Sequence, residues 1–302
     1  VTSAGGDAID VYNEGVGDVT VYAANADGTV QLSSAAGRGI DIYNDNEGAV
    51  RVTVDNIMSE DEGIDIENEI GTTSVSVTVT GTVTSATENG INILSYGSDG
   101  VTIFASNSDN SSLIEGYFDG VDVLNYNGGA SDITVDNATG DQGYGVYAYN
   151  DASSTSLSLT AYGTLSGYSY GAFLRNDGSG DLIVDISNAD GTALAEGNYG
   201  GLFVENFNGG AVDVTVDNAT GTNYYGVFAY NDTSGTGLSV ISAGTTSGGY
   251  YGIAARNYGS GDLIISSSNA DGTAQADGGR EGISARNYNG GALPITANRV
   301  SA

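Results

Sequence analysis

The sequence has no cysteine, histidine, lysine or tryptophan, and one residue each of proline and methionine. Without histidine, cysteine or lysine, the many serines lack the bases that usually activate a hydroxyl nucleophile. A carboxylate pair such as Asp65 and Glu67 is the catalytic option left, in the manner of a glycosidase, but acidic pairs arise by chance among 38 acids. The expectation is a non-enzymatic protein. The absence of cysteine does not itself decide the redox compartment. Glycine is abundant, 48 of 302 residues, yet one proline and no strict triplet exclude a collagen-like chain. No apolar run approaches the roughly 18 residues of a membrane span, so this segment is not expected to insert into a bilayer. The first residues are not the charged-then-apolar start of a signal peptide.

Positive charge is also scarce. The seven cations, all arginine, face 38 acids for a formal net charge of −31. Such a field repels nucleic acid and anionic membranes. High charge with low hydrophobicity is also a mark of disorder, but the regular patterning of the apolar residues points away from it.

What is present is Val, Ile, Thr and Tyr, which favour strands, with Gly, Asn and Asp, which favour tight turns. They are arranged in a repeat. Residues 120–140, GVDVLNYNGGASDITVDNATG, return at 201–221 as GLFVENFNGGAVDVTVDNATG, identical at 15 of 21 positions. A shorter motif, Gly then apolar–x–apolar–x–Asn, recurs eleven times, for example as GIDIYN from Gly39, GVDVLN from Gly120 and GLFVEN from Gly201. AIDVYN from Ala8 opens the series and GISARN from Gly282 closes it. The intervals are 24 to 31 residues, and from Gly39 onward they sum in threes to 81. Apolar residues alternate within each interval, as at Val52 and Val54 or Ile133 and Val135. Alternation marks a strand with one buried face. One coil cannot bury that face alone, whereas stacked coils build a continuous core. The sequence therefore predicts an all-β fold: a single-stranded parallel β-helix (β-solenoid) spanning 1–302, with about 11 coils and 81-residue units beginning near 39, 120 and 201. Crossover chirality makes the expected path right-handed. Strands about 4.8 Å apart would make the rod on the order of 50 Å long. A nine-residue calcium-binding repeat is set aside, because no nine-step recurrence lies inside a coil.

Stacked coils turn repeated residues into ladders. The fifth residue after the glycine is Asn at Asn13, Asn44, Asn68, Asn125, Asn150, Asn176, Asn206, Asn231, Asn257 and Asn287, and Ser95 alone breaks the series. Asparagine tolerates left-handed backbone at a corner, and stacked amides can bond to one another, so a structural ladder is expected. The second residue after the glycine points outward. It runs Asp10, Asp41, Asp65, Asn92 and Asp122, then Tyr147, Phe173, Phe203 and Phe228, so an acidic stripe gives way to an aromatic one. Stacked carboxylates repel, and a hard cation such as Ca²⁺ held by Asp41, Asp65 and Glu67 would relieve them; no cofactor is otherwise required. The alternative is a solvated, salt-screened face. Aromatic rings in register either shield one another or offer a surface to sugar or protein. Sequons stand at Asn110, Asn137, Asn218 and Asn231.

The ends differ in charge. Residues 1–70 carry fifteen acids and two arginines, whereas 253–302 balance four of each. Arg256 and Arg286 stack on adjacent coils, and Pro294 falls at an outward strand position where an edge suits it better than an interior. The chain opens and closes in mid-coil. The expected partners are therefore other copies joined head to tail, with Arg256 and Arg286 at the interface, or further repeats of a longer chain.

The copies GVYAYND, GIAARNYGSGDLII and GISARNYNGG resemble the passenger repeats of bacterial autotransporters and related haemagglutinin-like adhesins. The resemblance covers essentially the whole chain and implies a right-handed β-helix displayed on a bacterial cell surface. It carries over no functional residue. Three functions follow as expectations: an extracellular stalk, fibre or matrix filament; an adhesin gripping glycan or host protein through its stripes; and, last, a polysaccharide-active enzyme.

Overall fold

A computed structural model describes residues 1–302. All of its regular structure is strand: 34 strands and no helix. Each coil contributes one strand to each of three parallel sheets, for example Asn137–Gly140 to sheet A, Tyr144–Asn150 to sheet B and Leu157–Ala161 to sheet C. Every sheet is therefore made of every third strand, giving twelve strands in A and eleven each in B and C. This is the expected β-solenoid, and the eleven motif copies are the eleven strands of sheet B.

The register explains the motif. Ile40 pairs with Ile64, Ile64 with Ile91 and Ile91 with Val121, so like positions stack without slipping. Inward side chains form one apolar core of 54 buried residues running along the axis. A slip by one residue would turn each of these columns out to water. The leading glycine sits at the tight corner between sheets A and B. A Cβ on Gly145 would come within 2.5 Å of the Gly171 carbonyl oxygen, and one on Gly63 within 2.4 Å of that of Gly90, so backbone fills the space a side chain would need. The NGGA turn after sheet B uses glycine for its other property: Gly128 and Gly129 have φ of 121° and 66°, and Gly209 and Gly210 repeat this at 140° and 70°.

One expectation fails. The ladder asparagines do not adopt left-handed backbone; Asn110 is the single non-glycine residue with positive φ. They end the sheet B strands in extended conformation, and the adjoining glycines take the left-handed positions. Pro294 lies just before the last strand of sheet C, Ile295–Ala297, and its carbonyl accepts a bond from the Ile265 N–H. Ile295 and Val300 stand in columns that are buried elsewhere but are 48% and 54% exposed here.

Candidate functional site

The asparagine ladder is interior. Asn44, Asn68, Asn125, Asn150, Asn176, Asn206, Asn231 and Asn257 are fully buried. Nδ2 of one coil donates to Oδ1 of the next, from Asn13 to Asn44 at 2.7 Å, Asn44 to Asn68 at 2.9 Å, Asn176 to Asn206 at 3.0 Å and Asn257 to Asn287 at 3.1 Å. The remaining amide hydrogens cap turn carbonyls, such as Gly180 O. Ser95 interrupts the run. Its hydroxyl is too short to reach upward, and Asn125 Oδ1 is left buried without a partner.

Asp41 and Asp65 meet on adjacent coils as the spacing predicts. Between them lies a guanidinium. Arg38 bonds Asp41 at 2.7 Å, Glu62 at 3.0 Å and Asp65 at 3.1 Å, and Asn92 donates to the other Asp65 oxygen at 2.8 Å. At Asp41 and Asp65, where the sequence suggested a divalent cation with Glu67, this arginine places one positive charge among three acids. Glu67 belongs to the next outward column and does not join the cluster; burial and then Glu69 push its carboxyl upward. No group of three or more acidic side chains has the arrangement of a metal site.

Higher on the same face the acids lose their counter-ion. Burial pushes the Asp119 carboxyl up to about 6, against an N–H bond from Tyr144. Burial, then the neighbouring Asp119, pushes Asp122 to about 7, and Asp122 Oδ1 has no partner. Tyr147 stands directly above Asp122 in the sheet and begins the aromatic half of the face.

There the rings stack on one another. Phe173 and Phe203 lie 4.8 Å apart at 9°, and Phe203 and Phe228 4.5 Å apart at 16°. A second column runs along the corner, where Tyr199, Tyr224 and Tyr250 follow at 5.9 and 5.5 Å. Such stacks use ring faces internally and turn edges to solvent. The regular stacking breaks beside Leu124, Tyr126, Tyr147, Tyr149 and Arg175, which line a shallow, open surface cleft of 330 Å³. Two other surface hollows, of 210 and 490 Å³, have mainly polar walls of Ser, Thr, Asn, Glu and Asp.

Sequence reasoning passed over a further set. Asp55, Asp136 and Asp217, 81 residues apart, are buried at the base of projecting loops. Asp136 accepts from Ser106 Oγ at 2.6 Å, Asn107 N–H at 3.0 Å and Ser112 N–H at 3.1 Å. Asp55 is bound likewise by Asn25, Val30 and Thr80; burial raises its carboxyl, and these donors outweigh that and hold it below the usual range. The recurring VDN triplet was the available signal. The sequons divide on the same grounds. Asn137 and Asn218 spend their amides on neighbouring carbonyls, and Asn231 is in the buried ladder, while Asn110 is exposed on its loop.

Arg256 and Arg286 are register neighbours, as predicted. Arg256 lies 5.5 Å above the Phe228 ring, and Arg286 is exposed beside the Tyr288 hydroxyl. Neither forms an ion pair with an acid. Compared with family models, curated proteins and solved structures, the chain finds no match.

Proposed function

We propose that the chain is a structural, non-enzymatic element of an extracellular stalk, fibre or matrix filament on a bacterial cell surface. The observation that carries this reading is the unbroken run of three parallel sheets around one continuous core. Such a body resists bending because each coil is bonded to its neighbours along all three sides. The interior is filled by apolar side chains and paired amides, and the three sheets turn their other sides to solvent.

The likeness to autotransporter passenger repeats supports the same placement. The contrast between an acidic first part and a charge-balanced last part supports continuation along the axis, through another copy or further repeats. Electron microscopy of the purified chain is the test. Rods about 50 Å long, or filaments built from them, are expected, and compact globules would overturn the reading. Where filaments form, replacing Arg256 and Arg286 by Glu is expected to break them into single rods. A monodisperse monomer at high concentration excludes docking between copies.

A further inference from the structure

The cleft on sheet B is where the aromatic ladder opens. Tyr126 and Tyr149 lie 5.6 Å apart but tilted by 59°. The residue above Tyr149 in the sheet is Arg175 and not another ring. The ring column is therefore interrupted here by a guanidinium, which lies over the Tyr149 ring, while three coils higher the faces of Phe203 and Phe228 cover one another.

Polar groups around the cleft are held in place. Arg175 Nε and Nη2 bond Asp177 at 2.9 and 3.1 Å, and the Tyr149 hydroxyl donates to the same carboxylate at 3.2 Å. The guanidinium lies 4.5 Å over the Phe207 ring and 5.9 Å from that of Tyr149, with Nη1 unused in these bonds. Flat apolar walls with a few fixed donors and acceptors are the usual make-up of a small-molecule site. The chemistry suits a pyranose ring: its C–H face against tyrosine, its hydroxyls to guanidinium, carboxylate and phenol.

Two observations narrow the ligand. Arg175 is already neutralised by Asp177, and the chain carries a net charge of −31, so the field disfavours an anionic sugar. The ring and arginine positions also recur 81 residues on, as Glu205, Phe207, Phe228, Tyr230 and Arg256, with Tyr258 in the place of Asp177. There Phe207 and Tyr230 are tilted by 39°, and Tyr230 and Tyr258 by 47°. The two positions are three coils, about 14 Å, apart along one face.

We infer that this face binds a neutral polysaccharide laid along the solenoid axis, with sugar rings seated at the Tyr126–Tyr149–Arg175 and Phe207–Tyr230–Arg256 positions. The inference goes beyond the rod reading and does not depend on it: a rod that binds no glycan remains a rod.

Native affinity electrophoresis of the full chain tests it, in gels holding laminarin, dextran or hydroxyethylcellulose, with polygalacturonate as the anionic comparison. At least one neutral polymer is expected to retard the protein, and high salt to leave the retardation unchanged. Tyr149→Ala and Tyr230→Ala should each weaken binding about tenfold, and the double variant about a hundredfold or more, because one chain bridges both positions. Tyr22→Ala, on the outer face of sheet C, should have no effect. Circular dichroism and melting establish that the variants fold; if the double variant does not, Arg175→Met carries the same expectation with the packing stem retained. No retardation by any of the three neutral polymers overturns the inference. So does retardation by polygalacturonate alone, or binding that survives in the folded double variant or in Arg175→Met.

Discussion

At the scale of single residues, the informative positions are those where a repeat is broken. Ser95 leaves Asn125 Oδ1 buried and unbonded in a column where every other coil supplies an amide. Ser95→Asn restores that donor and is expected to stabilise the protein by about 1 kcal/mol, read as a rise in melting temperature. An unchanged or lower melt would show that the site cannot accommodate the longer side chain. Asp122 is the opposite case, a carboxyl whose ordinary value of 3.8 is raised by burial to about 7. Between those values the folded chain holds a proton that the unfolded chain has released, so stability falls as pH rises through the window and is lowest above it. Asp119, raised to about 6, acts in the same direction. Asp122→Asn should therefore melt higher than the natural chain at pH 8, by the equivalent of about 2 kcal/mol, and the gain should shrink toward pH 4. A gain of equal size at both pH values would refute this account.

At the scale of strands and turns, most of the architecture was legible because stacking makes sequence recurrence into spatial contact. The Gly–apolar–x–apolar–x–Asn motif located all eleven strands of sheet B, since each of its positions answers one demand: close approach, core, core, ladder. What escaped lay just outside the motif. Arg38 precedes its glycine by one residue, yet that position faces the same outer surface and reaches three acids on two coils. Asp55, Asp136 and Asp217 sit between a sheet C strand and a sheet A strand, where an acid reads as an ordinary turn residue. Their burial follows from loops of the preceding coil that close against them and direct N–H groups at their carboxylates. The cleft at Tyr149 was illegible for a different reason. The rings and Arg175 could be placed on one face from spacing alone, but whether neighbouring rings cover or tilt away depends on side-chain torsions, which register does not determine.

At the scale of the whole molecule, the 81-residue unit is exchangeable. Residue 120 and residue 201 hold equivalent places, so removing residues 120–200 joins Asp119 to Gly201 without a change of register. The shortened chain is expected to give the same strand-dominated circular dichroism and a rod shorter by three coils, about 14 Å, because each coil contacts mainly its neighbours. Aggregation of this variant would mean that coils depend on more distant ones.

The asparagine ladder has a direction as well as a position. In every amide-to-amide link the earlier coil donates and the later coil accepts, from Asn13 to Asn44 through Asn257 to Asn287. Amide dipoles that point the same way add along the axis, as peptide dipoles do in a helix. The rod is thus a vector and not merely a length. Its two ends are chemically unlike: at the first coil Asn13 Oδ1 accepts from the Gly15 N–H, and at the last Asn287 Nδ2 turns to the Gly290 and Ala292 carbonyls.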